Sequence, residues 1–350
     1  MTRQRIVVIG NGMASLRFVE EIVKRGAARF MITVLGAEPE PAYNRVLLSP
    51  LLAGEIVHDD VAMKSRSWYG QNNINLMTGT RAIGIDAVSR RVQLNGGHSL
   101  PFDHLVLATG SQPFRLPLPG AELDGVIAFR TLTDIERMRS ATGRSRPAVV
   151  IGGGLLGIEA AYGLARAGVA VTLVHIMDRL MERQLDKNAA DRLKRALAAK
   201  RIDVRLGAKT EAIIGDRWVE GVRLVDGSLI PCRAVIMAAG ITPDVALAKL
   251  AGLVVGRGIR VDDQMQTSAP GVYAIGECAE HRGAVYGIVE PAYDQARVLA
   301  EVLSGTPAQY TGSVLATNLK VSGVPVFSVG DFEGEDAETI LLTDDTSGVY

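Results

Sequence analysis

Ala148-Val-Val-Ile-Gly-Gly-Gly-Leu-Leu-Gly-Ile-Glu159 is the stretch whose reading decides the fold of this 350-residue chain. Its short apolar run reads as a buried strand, its glycines as a tight turn, and the residues after them as the first turn of a helix. Gly152, Gly154 and Gly157 keep the full G-x-G-x-x-G spacing, with Leu155 and Leu156 between them. That spacing suits a sharp turn, a bare backbone against a pyrophosphate, and close packing of helix on strand. The helix start then directs unpaired N–H groups and a positive dipole end at the phosphates. Strand–turn–helix glycines are common, so the motif gains weight from its company.

That company opens the chain. Arg5-Ile-Val-Val-Ile-Gly10 is a second β-branched run ending in glycine, followed by Gly12, Met13, Ala14 and Ser15. A helix is expected over Ser15 to Arg25, and Ser15 replaces the third glycine of the fingerprint. Two nucleotides held side by side are the expectation. Later, Val235-Ile-Met-Ala-Ala-Gly240-Ile-Thr-Pro243 repeats Val106-Leu-Ala-Thr-Gly110-Ser-Gln-Pro113 in spacing and character. Each fingerprint is thus followed by one strand ending in Ala-x-Gly, as in two related domains, and Thr109, Gly110 and Gly240 become candidates for a backbone approach to a cofactor.

The strand expected at Phe30 to Leu35 leads to Glu38, either a ligand of a ribose hydroxyl pair or a solvated loop acid. Arg45, in a proline-bounded loop, is either a phosphate ligand or a surface arginine. His175 ends the strand after the second fingerprint, where an acid would favour NAD and an arginine NADP, so the choice of pyridine nucleotide stays open. Gly276 and Glu277 end a further strand, at which an acid suits the polyol of a flavin. Glu290 precedes Pro291 at the start of a helix reaching about Leu303, whose N-terminus favours an electron-rich ring edge.

Lys and Arg together number 38, as do Asp and Glu, giving no net charge and no sign of a polyanionic partner. Two cysteines, Cys232 and Cys278, form neither a disulfide framework nor a C-x-x-C pair and suit a reducing compartment. Five histidines are scattered without metal-ligand spacing, so no metal site is expected. No leader or membrane span is read, and a cytoplasmic protein is expected.

With these residues in view, the chain resembles the pyridine nucleotide-disulfide oxidoreductase-like flavoproteins, in the branch lacking a redox disulfide. Within that branch it resembles the flavin reductase portion of NAD(P)H nitrite reductase large subunits and assimilatory nitrate reductase electron-transfer subunits. The likeness rests on Gly10-Asn-Gly-Met-Ala14, Pro41-Ala-Tyr-Asn-Arg-Val-Leu-Leu-Ser49, the Gly152–Glu159 stretch, Gln184-Leu-Asp186 and Tyr273-Ala-Ile-Gly-Glu-Cys-Ala-Glu-His281, and covers nearly the whole chain. It implies an α/β protein of two Rossmann-like domains in three ββα layers, one inserted in the other, plus a truncated α+β C-terminal domain. The expected boundaries are 1–118 with 244–309 for FAD, 119–243 for NAD(P)H, and 310–350 for the start of an interface domain.

By the same resemblance, Gly10, Gly12, Met13 and Ala14 line the FAD pyrophosphate, Glu38 its ribose, Arg45 a phosphate, and Ala82 the adenine. Gly276 and Glu277 meet the ribityl chain, and Lys320 reaches the flavin from the third domain. Gly152, Gly154 and Gly157 take NADH or NADPH, with Glu159 near the reactive ring. Ser15 replaces a glycine, Ala37 stands where many relatives carry the ribose acid, and Pro50 where some carry a flavin-side lysine. The end at Tyr350 suggests a truncated or shortened chain. The implied activity passes electrons from NAD(P)H through flavin to an iron–sulfur or sirohaem acceptor in nitrite or nitrate assimilation, with no nucleic acid or membrane partner and room for a homodimer. Alternatives are a rubredoxin or ferredoxin reductase with a separate carrier, and a nucleotide-binding protein without turnover.

Overall fold

The computed structural model describes residues 3–319, 324–330, 340 and 342–344. The chain divides into two compact units, the first formed by Met1–Arg45, His58–Gln112 and Ile241–Ser313. The second takes Val46–Val57, Pro113–Gly240 and the described residues of Val314–Tyr350.

In the first unit a five-stranded sheet runs in the order Val272–Ala274, His104–Leu107, Gln4–Ile9, Phe30–Leu35, Ile74–Met77. Every pairing is parallel, with Ile9 opposite both Leu35 and Leu107. A parallel sheet is covered on both faces, which is why its strands are apolar runs without alternation. Ile6, Val8, Leu105, Val106 and Ala274 are fully buried. On one face the helices Met13–Lys24 and Val289–Leu303 pack together. Met13–Lys24 buries Leu16, Phe18, Val19 and Ile22 at helical spacing. The other face carries Val92, Leu94 and Phe102, from and beside the antiparallel meander Ala82–Asp86, Arg91–Leu94, Ser99–Pro101.

The second unit repeats this plan. Its parallel sheet runs Ile202–Arg205, Val171–Val174, Ala148–Ile151, Ala234–Met237, Val126–Ala128. Its meander is Thr210–Gly215, Val219–Leu224, Leu229–Pro231. The helix Leu155–Arg166 follows the fingerprint, and Lys187–Ala199 is capped by Asp186, whose carboxylate accepts from the Ala189 amide at 2.9 Å. The repeated Ala-x-Gly strands thus occupy equivalent places, each beside its own fingerprint strand. Two three-layer ββα folds result, with one interrupting the other in sequence.

Local readings shift at several ends. The first helix begins at Met13 rather than Ser15, because Gly12 already accepts the Leu16 amide at 3.0 Å. Gly276 and Glu277 lie in a 3₁₀ turn, Gly276–Cys278, beyond the strand end at Ala274. The loop at Pro41 contains a short helix, Leu48–Leu52, which packs on Leu155–Arg166 in the second unit. The strands Ala316–Leu319 and Val326–Val329 pair antiparallel. Lys320 lies outside the described residues. No helix of the described residues is long and apolar enough to cross a membrane.

Candidate functional site: two glycine turns at strand ends

In the first unit Gly10 leaves its strand with φ 109°, and a Cβ there would stand 2.0 Å from the Ala108 carbonyl oxygen. Only glycine lets the two neighbouring strand ends approach this closely. Gly12 differs: its backbone is extended, and a Cβ would meet nothing within 4 Å. As N-cap it brings no side chain to the helix, so the first amides, at Met13 and Ala14, lack a capping acceptor. This bare, electropositive turn fits an anion. Ser15 is completely buried in the third-glycine place, and its hydroxyl has no hydrogen-bond partner among the described residues.

Of the other first-unit candidates, Gly276 lies beside Ala14 and Thr109 beside Gly10. Gly79 donates to the Glu38 carbonyl at 2.9 Å and Thr80 to that of Gly36 at 2.8 Å, two residues before Ala82. Glu38 is not a free loop acid. One carboxylate oxygen accepts from the Tyr43 hydroxyl at 2.6 Å and the other from Arg45 at 2.5 Å. Arg45 also donates to the Tyr43 hydroxyl at 2.8 Å and lies over its ring. Burial works against the Arg45 charge, but Tyr43, Glu38 and Glu277 outweigh it and leave the guanidinium pKa raised. Arg45 is therefore a clamped cation among acids rather than a loose surface arginine. Ser111 donates to Glu277 at 2.8 Å, fixing that carboxylate. A Cβ on Gly276 would come within 3.0 Å of the Ala14 Cβ, so this turn lies against the helix start. The Gly276 amide donates to the buried Gln295 side chain at 2.7 Å.

The Thr109 hydroxyl donates to the Asp244 carbonyl at 2.7 Å, and the Asp244 amide to Gly110 at 2.9 Å. Thr109 therefore braces the strand end through its side chain. Glu290 is exposed in the first turn of its helix. Cys278 is buried with its thiol directed at the Leu107 and Ile275 carbonyls, and burial pushes its pKa up.

The second unit carries the same construction with a complete fingerprint. Gly152 has φ 123°, and a Cβ there would lie 2.3 Å from the Ala238 carbonyl oxygen. Gly154 is the open N-cap, and a Cβ on Gly157 would stand 1.9 Å from the Gly152 carbonyl oxygen. Leu155 and Leu156 are half-buried at the uncapped helix start, while Gly240 is exposed just beyond Ala238. Further along the helix Glu159 is 7% exposed, and burial alone pushes its carboxyl up to about 8. Ser49 donates to the Glu159 carbonyl at 3.1 Å.

His175 itself fills the strand-end place where an acid or an arginine would have marked the nucleotide. The Gly153 amide donates to its Nδ1 at 3.0 Å, and its Nε2 meets Glu182 at 3.1 Å. Sequence reasoning missed Tyr43, Ser111, Gln295 and Glu182: the first two lie in quoted stretches but carried no role there, and the last two sit in no motif. The Tyr-Asn-Arg run gave the only signal, for Tyr43.

The family described as pyridine nucleotide-disulphide oxidoreductase matches residues 4–298. The chain is 47% identical over its whole length to a nitrite reductase [NAD(P)H] of Bacillus subtilis (strain 168), covering 44% of that protein. It is 42% identical to the assimilatory nitrate reductase electron transfer subunit of the same organism, covering 46% of it. The chain therefore spans under half the length of these relatives. A solved covalent putidaredoxin reductase–putidaredoxin complex matches with a TM-score of 0.89 and 28% identity, over 96% of this chain and 83% of that one. A match of this extent, over the two glycine-turn folds described above, leaves one conclusion: the chain belongs to the pyridine nucleotide-disulphide oxidoreductase family.

Proposed function

We infer that this chain oxidises NADH or NADPH through FAD and passes the electrons to an iron–sulfur or haem acceptor, in cytoplasmic nitrite or nitrate assimilation. The observation that carries the reading is the doubled turn. Gly12 and Gly154 each leave open space beside an uncapped helix start, which fits a dinucleotide pyrophosphate in either unit. The likeness to the nitrite and nitrate reductase relatives supports the nitrogen-assimilation setting.

In this reading the first unit holds FAD and the second the nicotinamide nucleotide. The amides of Met13 and Ala14, and those of Leu155 and Leu156, donate to phosphate oxygens. Glu38 keeps acceptor capacity for a ribose because Tyr43 and Arg45 orient it without exhausting its lone pairs. Ser111 holds Glu277 for the ribityl hydroxyls, and Ala82 offers backbone to the adenine. Glu159, whose carboxyl burial pushes up to about 8, presents the nicotinamide at neutral pH with a hydrogen-bond donor instead of a negative charge. Lys320 is proposed by resemblance to reach the flavin. Bound flavin supplies hydride acceptance and one-electron release. Both cysteines are free, buried thiols, which supports electron exit without a protein dithiol.

An absorption spectrum followed by anaerobic titration with NADH and NADPH tests the reading. Flavin absorbance that bleaches on addition, then returns with an iron–sulfur or sirohaem acceptor, is expected. A protein still colourless after soaking in FAD, or one that does not bleach, refutes it. The likeness to the putidaredoxin reductase complex favours, as second reading, delivery to a separate carrier protein. Preference for a small iron–sulfur carrier over a sirohaem acceptor distinguishes it.

A further inference from the structure

A dinucleotide fold meets the adenosine ribose at the end of the strand after its glycine turn. Here that strand is Val171–Val174, and the next residue, His175, faces inward at 8% exposure. Because the Gly153 amide donates to Nδ1, Nδ1 is an acceptor and the ring proton sits on Nε2, which donates to Glu182. The chain then returns to the turn. Met181, with φ 49°, donates its amide to the Gly153 carbonyl at 3.0 Å and brings Glu182 alongside. The acid missing from the strand end is thus supplied from the following loop, through an imidazole that fits only because residue 153 is glycine. A Cβ there would stand 2.6 Å from the ring.

We propose that Glu182, held by His175, binds the adenosine ribose hydroxyls of the nicotinamide nucleotide and makes the site select NADH over NADPH. The proposal rests on the second unit being the nicotinamide-nucleotide site. The Glu182 side chain is 25% exposed, so its carboxylate edge reaches solvent. One oxygen accepts a hydrogen bond from Nε2–H, and the other has no hydrogen bond among the described residues. His175 adds no positive charge in this tautomer, so the pair remains anionic. A 2′-hydroxyl donates to it, whereas a 2′-phosphate meets like charge. On the same loop Arg179 donates to the Glu182 carbonyl at 3.4 Å, while Arg183 is exposed. Capture of a 2′-phosphate by Arg183 is the contrary outcome.

Calorimetric titration of the full chain with NAD⁺, NADP⁺, 5′-AMP and 2′,5′-ADP tests this. NAD⁺ and 5′-AMP are expected to bind at least about tenfold tighter than their 2′-phosphorylated counterparts. Glu182→Gln keeps the shape and an acceptor for His175 but removes the charge. It should shrink that ratio by about threefold or more, chiefly by tightening NADP⁺. Glu182→Arg should reverse it, with circular dichroism confirming the fold of both variants. Equal binding of the two series, tighter binding of the 2′-phosphorylated one, or a ratio unchanged in Glu182→Gln overturns the proposal and leaves the nucleotide site standing. Binding of none of the four overturns both.

Discussion

Gly154 and Gly157 belong to one motif, yet the structure gives them opposite duties, and alanine at each separates the two. At Gly157 a Cβ would stand 1.9 Å from the Gly152 carbonyl oxygen, where ordinary contact begins near 3.4 Å. The obstacle is backbone, so the helix Leu155–Arg166 must retreat by about 1.5 Å. Overpacking of this kind costs about 1–3 kcal/mol or more. For a unit of this size that lowers its melting temperature by about 3–10 °C. The retreat also withdraws the Leu155 and Leu156 amides, so nucleotide binding falls as well. At Gly154 the backbone is at φ −82° and ψ −176°, open to any residue, and a Cβ meets nothing. The lost N-cap preference and the gain from a stiffer unfolded chain are each within about 1 kcal/mol and opposed. Gly154→Ala should therefore melt like the parent while its methyl occupies the space assigned to the pyrophosphate, weakening NAD⁺ at least about tenfold. Thermal unfolding by circular dichroism and NAD⁺ calorimetry on both variants decide the matter. A Gly157→Ala protein that melts with the parent, or a Gly154→Ala protein that binds NAD⁺ equally well, refutes the reasoning.

Glu159 carries a raised carboxyl pKa, so from about pH 4.5 upward the unfolded chain ionises while the native one holds its proton. Stability should fall as pH rises to about 8 and then level off, and Glu159→Gln should flatten that slope. Carbon NMR of the Glu159 carboxyl titrating near pH 4 would count against it. Asp103 is held down to about 2 by hydrogen bonds from Arg5. Asp103→Asn should cost stability at neutral pH, with the difference from the parent closing as pH falls from 3.8 through about 2, as read by denaturant unfolding across pH. Burial pushes the Cys232 thiol up to about 12 and raises that of Cys278. Aromatic disulfide reagents should label both only as the protein unfolds, and rapid native labelling of either would contradict their burial.

Glycine spacing and apolar runs alone made the two strand–turn–helix units legible. These signals are local: a backbone at φ 109° or 123° needs glycine whatever lies around it, and a strand buried on both faces must be apolar along its length. The repeated Ala-x-Gly ends were readable too, because Ala108 and Ala238 present their carbonyls to Gly10 and Gly152 in the same way. What only the tertiary structure decided was which polar side chains are engaged. Glu38 and Arg45 each read as either a ligand or a bystander, and His175 left the nucleotide choice open. Their roles depend on partners that chain folding brings near: Tyr43 beside Glu38 and Arg45, Glu277 near Arg45, and Gly153 with Glu182 around His175. A side chain's charge and direction follow from who donates to it, and that is set by distance in space rather than along the chain.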